Sequence, residues 1–169
     1  MKRILKRLDS VHEKLLLTVT PLDPKLFSQR PAEGEWSVGE IVQHLSLVEE
    51  RVIKDLEKAM GSEPRRVGLL KRLMPTSIVS SRLLKVKSPK AVAPIAPVEK
   101  EAAIEALQNA RTKLKAFCDS HDDDRLRTLI FKHPFLGEID GVATISFVSY
   151  HEQRHFKQIR EVLKKIGTP

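Results

Sequence analysis

The chain has 169 residues, 41% of them hydrophobic, and a formal net charge of +8. That length and apolar content suit one folded domain with a substantial core and exclude an intrinsically disordered chain. One cysteine, Cys118, excludes an internal disulfide, no apolar run approaches the roughly 20 residues of a membrane span, and charges at Lys6, Arg7 and Asp9 interrupt any signal-peptide core; a cytoplasmic protein is expected.

Residues 2–20 read as an amphipathic helix, with Ile4, Leu5, Leu8, Val11, Leu15 and Val19 at three- and four-residue steps. Pro21 and Pro24 stop it, and a polar loop is expected up to Glu35. Ser37-Val38-Gly39-Glu40 fits a capping box that opens a second helix, and Trp36, just before the cap, can staple onto Ile41. This helix runs to about Met60, with Ile41, Leu45, Val48, Val52 and Leu56 on one face, and Gly61 ends it.

Residues 61–97 form a long irregular insertion holding five of the ten prolines. Helical turns are expected over 69–74 and 78–84, broken at Pro75. Arg65, Arg66, Lys71, Arg72, Arg82, Lys85, Lys87 and Lys90 face a single acid here, Glu63, so +7 of the net +8 belongs to this segment. A concentrated positive field attracts anions. The segment has no aromatic residue on which a base could stack. Recognition of single-stranded nucleic acid is therefore disfavoured; a solvated loop is the first expectation for this charge, and attraction of a small anionic ligand the functional alternative.

The third helix spans about 98–119, with Ala103, Leu107, Ala110, Leu114 and Phe117 as its stripe and Cys118 as an expected buried residue. Its acids precede its bases, as the helix dipole favours. A linker at Asp122–Asp124 and a turn-rich approach from His133 to Gly137 follow. The fourth helix starts near Asp140 or Gly141 and ends at Ile166. Its β-branched opening makes a strand over 142–148 the rival reading, but the stripe Thr144, Val148, His151, His155, Ile159, Val162, Ile166 keeps helical steps throughout. Four such helices predict an all-α four-helix bundle without a sheet.

Three histidines interrupt these apolar stripes. His151 and His155, four apart, share one helix face with Cβ atoms about 5–6 Å apart. His44 lies on the buried face of the second helix between Ile41, Leu45 and Val48. An unpaired polar ring at that depth is costly, so either hydrogen-bond partners within the core or a shared divalent metal is expected. Imidazole donors suit zinc, nickel, copper or iron(II); zinc and nickel lead, with iron and manganese behind. A three-ligand set leaves coordination positions for water or substrate, the catalytic pattern.

His151-Glu152-Gln153-Arg154-His155 also spells the zincin motif, in which Glu152 would be the general base. A zincin takes its third ligand downstream. Glu161 is the one acid there, and a continuing helix carries it away from the site. Glu152 is therefore expected chiefly as a solvated or supporting residue, and as a catalytic base only in second place.

Trp36-Ser37-Val38-Gly39-Glu40 followed by His44-Leu45 resembles the second-helix signature of the DinB-like superfamily, and His151-x-x-x-His155-x-x-Gln158-Ile159 resembles its last-helix signature. The resemblance implies an up-down-down-up four-helix bundle, often a homodimer, holding a divalent metal through His44, His151 and His155. Relatives include S-transferases and isomerases that use a low-molecular-weight thiol, bacillithiol or mycothiol. A metal-dependent transferase is thus the first functional expectation, with Arg65, Arg66, Lys71 and Arg72 holding the carboxylates of the thiol cofactor. A hydrolase in which the metal activates water is the second. A bundle that binds anions or nucleic acid without turnover is the third.

Overall fold

The computed structural model describes residues 1–68, 76–80, 89–133 and 136–167. Four long helices dominate: α1 (Lys2–Val19), α3 (Val38–Met60), α4 (Lys100–Asp119) and α6 (Gly141–Lys165). The short helices α2 (Pro24–Ser28) and α5 (Asp123–Leu126) and a hairpin of β1 (Ile130–His133) and β2 (Gly137–Asp140) fill the connections.

The helix ends obey local chemistry. The Thr20 amide makes the last α-helical bond of α1, to Leu16 O, and Pro21 then lacks the donor needed to continue. At the start of α3 the capping box closes in both directions: Glu40 N donates to Ser37 Oγ at 3.2 Å, and Ser37 N donates to the Glu40 carboxylate at 2.9 Å. Trp36 and Ile41 belong to the same apolar cluster, as a staple requires. Asp140 caps α6 by accepting from Ala143 N at 2.8 Å.

The core falls into two clusters, and their membership gives the topology. One gathers Leu8 of α1, Val52 to Leu56 of α3, Leu114 and Cys118 of α4, and Val142 to Val148 of α6. The other gathers Leu15 and Val19, Val38 to Leu45, Ala103 and Leu107, and Ile159 and Val162. Passing from the first cluster to the second follows the chain forward in α1 and α6 and backward in α3 and α4. The bundle is therefore up-down-down-up. α3 packs against α4 and α6, and α6 also against α1.

Three connections depart from expectation. The approach to the last helix is a two-stranded antiparallel hairpin, Ile130 opposite Asp140 and His133 opposite Gly137, so the bundle is not sheet-free. Four-residue strands are too short for alternation to register in the sequence. Within the expected polar loop, Asp23 caps α2 through Lys25 N, with Pro24 at the first helical position. Within the expected linker, Asp122 caps α5 through Arg125 N. Residues 142–148 are helical, against the strand alternative.

The insertion contributes two 3-10 turns to the description, Thr76–Ser80 against α6 and Lys90–Val92 against α3. The helical turn expected over 69–74, and most of that over 78–84, lie outside the described residues. No helix among the described residues is long and apolar enough to cross a membrane.

Candidate metal centre

The apolar faces of α3 and α6 bring His44, His151 and His155 together, one ring nitrogen of each lying within 4.8 Å of the others. His44 and His155 are buried and His151 is half-buried. The Nε2 atoms of His151 and His155 are 3.1 Å apart. Two nitrogens bound to one ion at about 2.0–2.1 Å would stand about 2.9–3.4 Å apart in octahedral or tetrahedral arrangement, so this pair already has the spacing of a chelate.

The far side of two rings is tied. His44 Nδ1 lies 2.7 Å from Val92 O. A carbonyl only accepts, so Nδ1 carries the proton and Nε2 keeps its lone pair for a ligand. His155 Nδ1 lies 2.8 Å from Gln158 Oε1 and is oriented in the same way. Burial lowers the His44 pKa below its ordinary value, partly offset by the Val92 bond. Burial lowers His151 much further, helped by the neighbouring His155 and His44. Both rings are thus held in the neutral form that binds metal.

Aromatic rings wall the cluster. The Trp36 indole lies 5.0 Å from the His44 ring and 6.4 Å from that of His155. Phe147 stacks on His151 at 5.2 Å, and His133 meets Phe147 edge-on at 4.5 Å. Three imidazole donors without a carboxylate, in an apolar wall, fit a divalent ion of the zinc, nickel or iron(II) type.

Glu152 is not solvated: its side chain is fully buried. One carboxylate oxygen lies 3.0 Å from His12 Nδ1, and the other accepts from Arg111 at 2.8 Å. Arg111 also donates twice to Glu49, at 3.1 and 2.5 Å, and to Leu8 O at 2.9 Å. Burial works to lower the Arg111 pKa, but the charges of Glu49 and Glu152 overcome it and hold the group above its ordinary value. Burial raises the Glu49 carboxyl, against the pull of Arg111. Of the two readings of Glu152, solvated or supporting, the solvated one fails because α6 packs against both α1 and α3, so its buried arc is wider than one stripe.

Arg65 pairs with Glu138 at 2.6 Å and Arg66 with Asp124 at 3.6 Å. Those partners belong to β2 and α5, beside the start of α6. His151 lies about three turns further along that helix, about 16 Å at 1.5 Å per residue. The described contacts therefore tie these two arginines to the far end of the bundle. Lys71 and Arg72 lie outside the described residues.

The sequence pattern passes over three supporting groups. Val92 acts through its backbone carbonyl and has no side-chain signature. Trp36 serves as a wall as well as a staple. Arg111 does leave a signal: it sits between Leu107 and Leu114 on the stripe of the third helix, where a charge needs partners.

Residues 7–159 match the family model of the DinB superfamily. The Bacillus subtilis protein YuaE, itself uncharacterised, is 26% identical over 148 residues, covering 85% of this chain and 86% of its own. Among solved structures, the four-helix bundle protein TT2238 superposes with a TM-score of 0.64 at 22% identity, covering 95% of this chain and 98% of its own. YfiT from Bacillus subtilis, a "probable metal-dependent hydrolase with an unusual four-helix bundle topology", superposes with a TM-score of 0.69 at 16% identity, over 99% of this chain and 88% of its own. With a family match over residues 7–159, which include His44, His151 and His155, the chain belongs to the DinB superfamily.

Proposed function

We propose that this chain is a hydrolase dependent on one divalent metal, held by His44, His151 and His155. The observation that carries the reading is the convergence of three histidine nitrogens, two of them with their opposite ring nitrogens tied to Val92 and Gln158. A divalent ion supplied there would act as a Lewis acid and lower the pKa of water toward neutrality. The three rings would hold it, and Val92 O and Gln158 would keep two of them in the ligating tautomer and orientation. Trp36 and Phe147 exclude bulk water from the sides they cover, which strengthens electrostatic interactions within. Zinc or nickel is the preferred occupant on the donor set.

Hydrolysis is favoured over thiol transfer because it needs no second cofactor. The two described arginines expected to hold a thiol's carboxylates are paired with Glu138 and Asp124 instead. The description of YfiT as a probable metal-dependent hydrolase points the same way. The test is metal analysis of protein purified without a histidine tag, then cobalt reconstitution and a screen of model esters and amides. Metal-dependent turnover that His151→Ala abolishes is the expected result. A cobalt spectrum altered by bacillithiol, mycothiol or glutathione, with no hydrolysis of any substrate, would replace the hydrolase with an S-transferase.

A further inference from the structure

Next to the three histidines lies a cluster of polar and charged side chains with one member on each long helix: His12 on α1, Glu49 on α3, Arg111 on α4 and Glu152 on α6. We propose that Arg111, acting through Glu49 and Glu152, is the positioning residue that sets the separation and register of the two ligand-bearing helices. The proposal rests on reading His44, His151 and His155 as one metal centre.

Arg111 stands on a helix that supplies no ligand, and its side chain is 4% exposed. Its guanidinium bonds Glu49, five residues after His44, and Glu152, which lies between His151 and His155 in the sequence. Its remaining terminal nitrogen bonds Leu8 O on α1. A guanidinium presents its donors in a rigid planar fork. Apolar packing, by contrast, is nondirectional and tolerates sliding, whereas a metal site needs its ligands held to within about 0.5 Å.

Stability alone does not account for the arrangement. Replacing a buried ion pair by apolar residues of similar volume is often neutral or stabilising, so a bundle selected only for stability has no need of it. Two carboxylates share this one guanidinium, and His12 must engage the second oxygen of Glu152 to complete the cluster. Both Glu152 oxygens are thus engaged within this cluster, and Glu152 is not among the residues whose ligand atoms converge at the histidines, so its role here is one of position.

The test measures cobalt and zinc dissociation constants by chelator competition, with the cobalt visible spectrum and urea stability, on the full chain. Arg111→Met should weaken metal binding roughly 10–100-fold, the usual effect of removing support behind a ligand, and alter the cobalt spectrum. Arg111→Lys, which keeps the charge but loses the fork, should fall between. The triple variant Glu49→Leu, Arg111→Met, Glu152→Leu removes the unpaired charges; it should fold stably yet still bind metal weakly, and it decides the question if Arg111→Met does not fold. Leu114→Ala, one turn along α4 and outside the cluster, should lose stability and keep full affinity. Undiminished affinity in the triple variant, or an equal loss in Leu114→Ala, overturns the proposal while leaving the metal centre intact. A wild-type chain that binds neither ion overturns the metal reading, and this inference with it.

Discussion

A ligand that binds only the folded chain must stabilise it, so the three histidines can be tested without knowing the substrate. With free zinc at one hundred times its dissociation constant, the folded state gains about 2.7 kcal/mol. For a chain of this size each kcal/mol moves Tm by about 2–4 °C, so the expected rise is about 5–11 °C over the chelator-stripped protein. Each histidine can be tested separately, because one nitrogen from each of the three rings lies within 4.8 Å of the others. His44→Ala, His151→Ala and His155→Ala should each abolish most of the shift, compared with that variant's own metal-free Tm. His121→Ala is the control: its Nδ1 lies 2.8 Å from Phe117 O at the end of α4, outside the cluster. Differential scanning calorimetry with and without zinc reads all five proteins. A shift that survives in His44→Ala would show the ligand set to be wrong, and one lost in His121→Ala would refute the reasoning from this cluster altogether.

Gly141→Ala should destabilise the fold by about 1–3 kcal/mol, because a Cβ there would stand 2.6 Å from the backbone oxygen of Leu126; an unchanged urea midpoint would contradict that close approach. Ser37→Ala should cost about 1 kcal/mol as a lost cap, and an unaltered midpoint would show that the capping box does not stabilise α3. Burial, with Asp119 and Asp123, pushes the Cys118 thiol up to about 12, so a thiol reagent at pH 8 should react only after unfolding; rapid labelling of the native chain would contradict this. His44 and His151 titrate below their ordinary value, so the metal-free fold should be stable above the unfolded histidine pKa of about 6.5 and lose stability as pH falls below it. Urea midpoints at pH 7.5, 6.5 and 5.5 should fall in that order and flatten in His151→Asn, and a flat wild-type profile would count against the buried neutral rings.

The long helices were legible because each carries a periodic stripe and most carry an end signal. Ser37 with Glu40, and Gly61 after Met60, bound α3 closely, and the up-down-down-up order of the helices followed from the resemblance, not from the pattern. The short elements were not legible. β1 and β2 hold together through backbone pairing across a turn, and pairing of that kind has no side-chain period to detect. The histidine cluster was visible as polar interruptions of apolar stripes. The charge cluster was equally present at positions 49, 111 and 152, but a stripe shows only that a residue faces inward. Which partner it meets depends on the heights of four helices, and that is a tertiary property.

Those heights also explain why this topology suits the site. The two apolar clusters occupy the ends of the bundle, and the polar layer of His12, Glu49, Arg111 and Glu152 lies between them. Fully burying an aliphatic side chain at such a position would contribute about 1.5–3 kcal/mol, so the middle of the bundle gives up stability that its ends supply. Glu49 and Glu152 meet one guanidinium and so share a level. From that level, His44 lies five residues toward the start of α3, about 7.5 Å, and His155 three residues toward the end of α6, about 4.5 Å. Because α3 and α6 run in opposite directions, both steps lead toward the same end, and the rings meet with centroids 4.8 Å apart. His151, one residue before Glu152, lies about 1.5 Å on the other side of that level, yet its ring centroid is 5.2 Å from that of His44, so side-chain reach as well as helix direction brings the third ring in. The direction of the helices thus puts His44 and His155 on the same side of the charged layer, and the reach of the His151 side chain across that level completes the cluster.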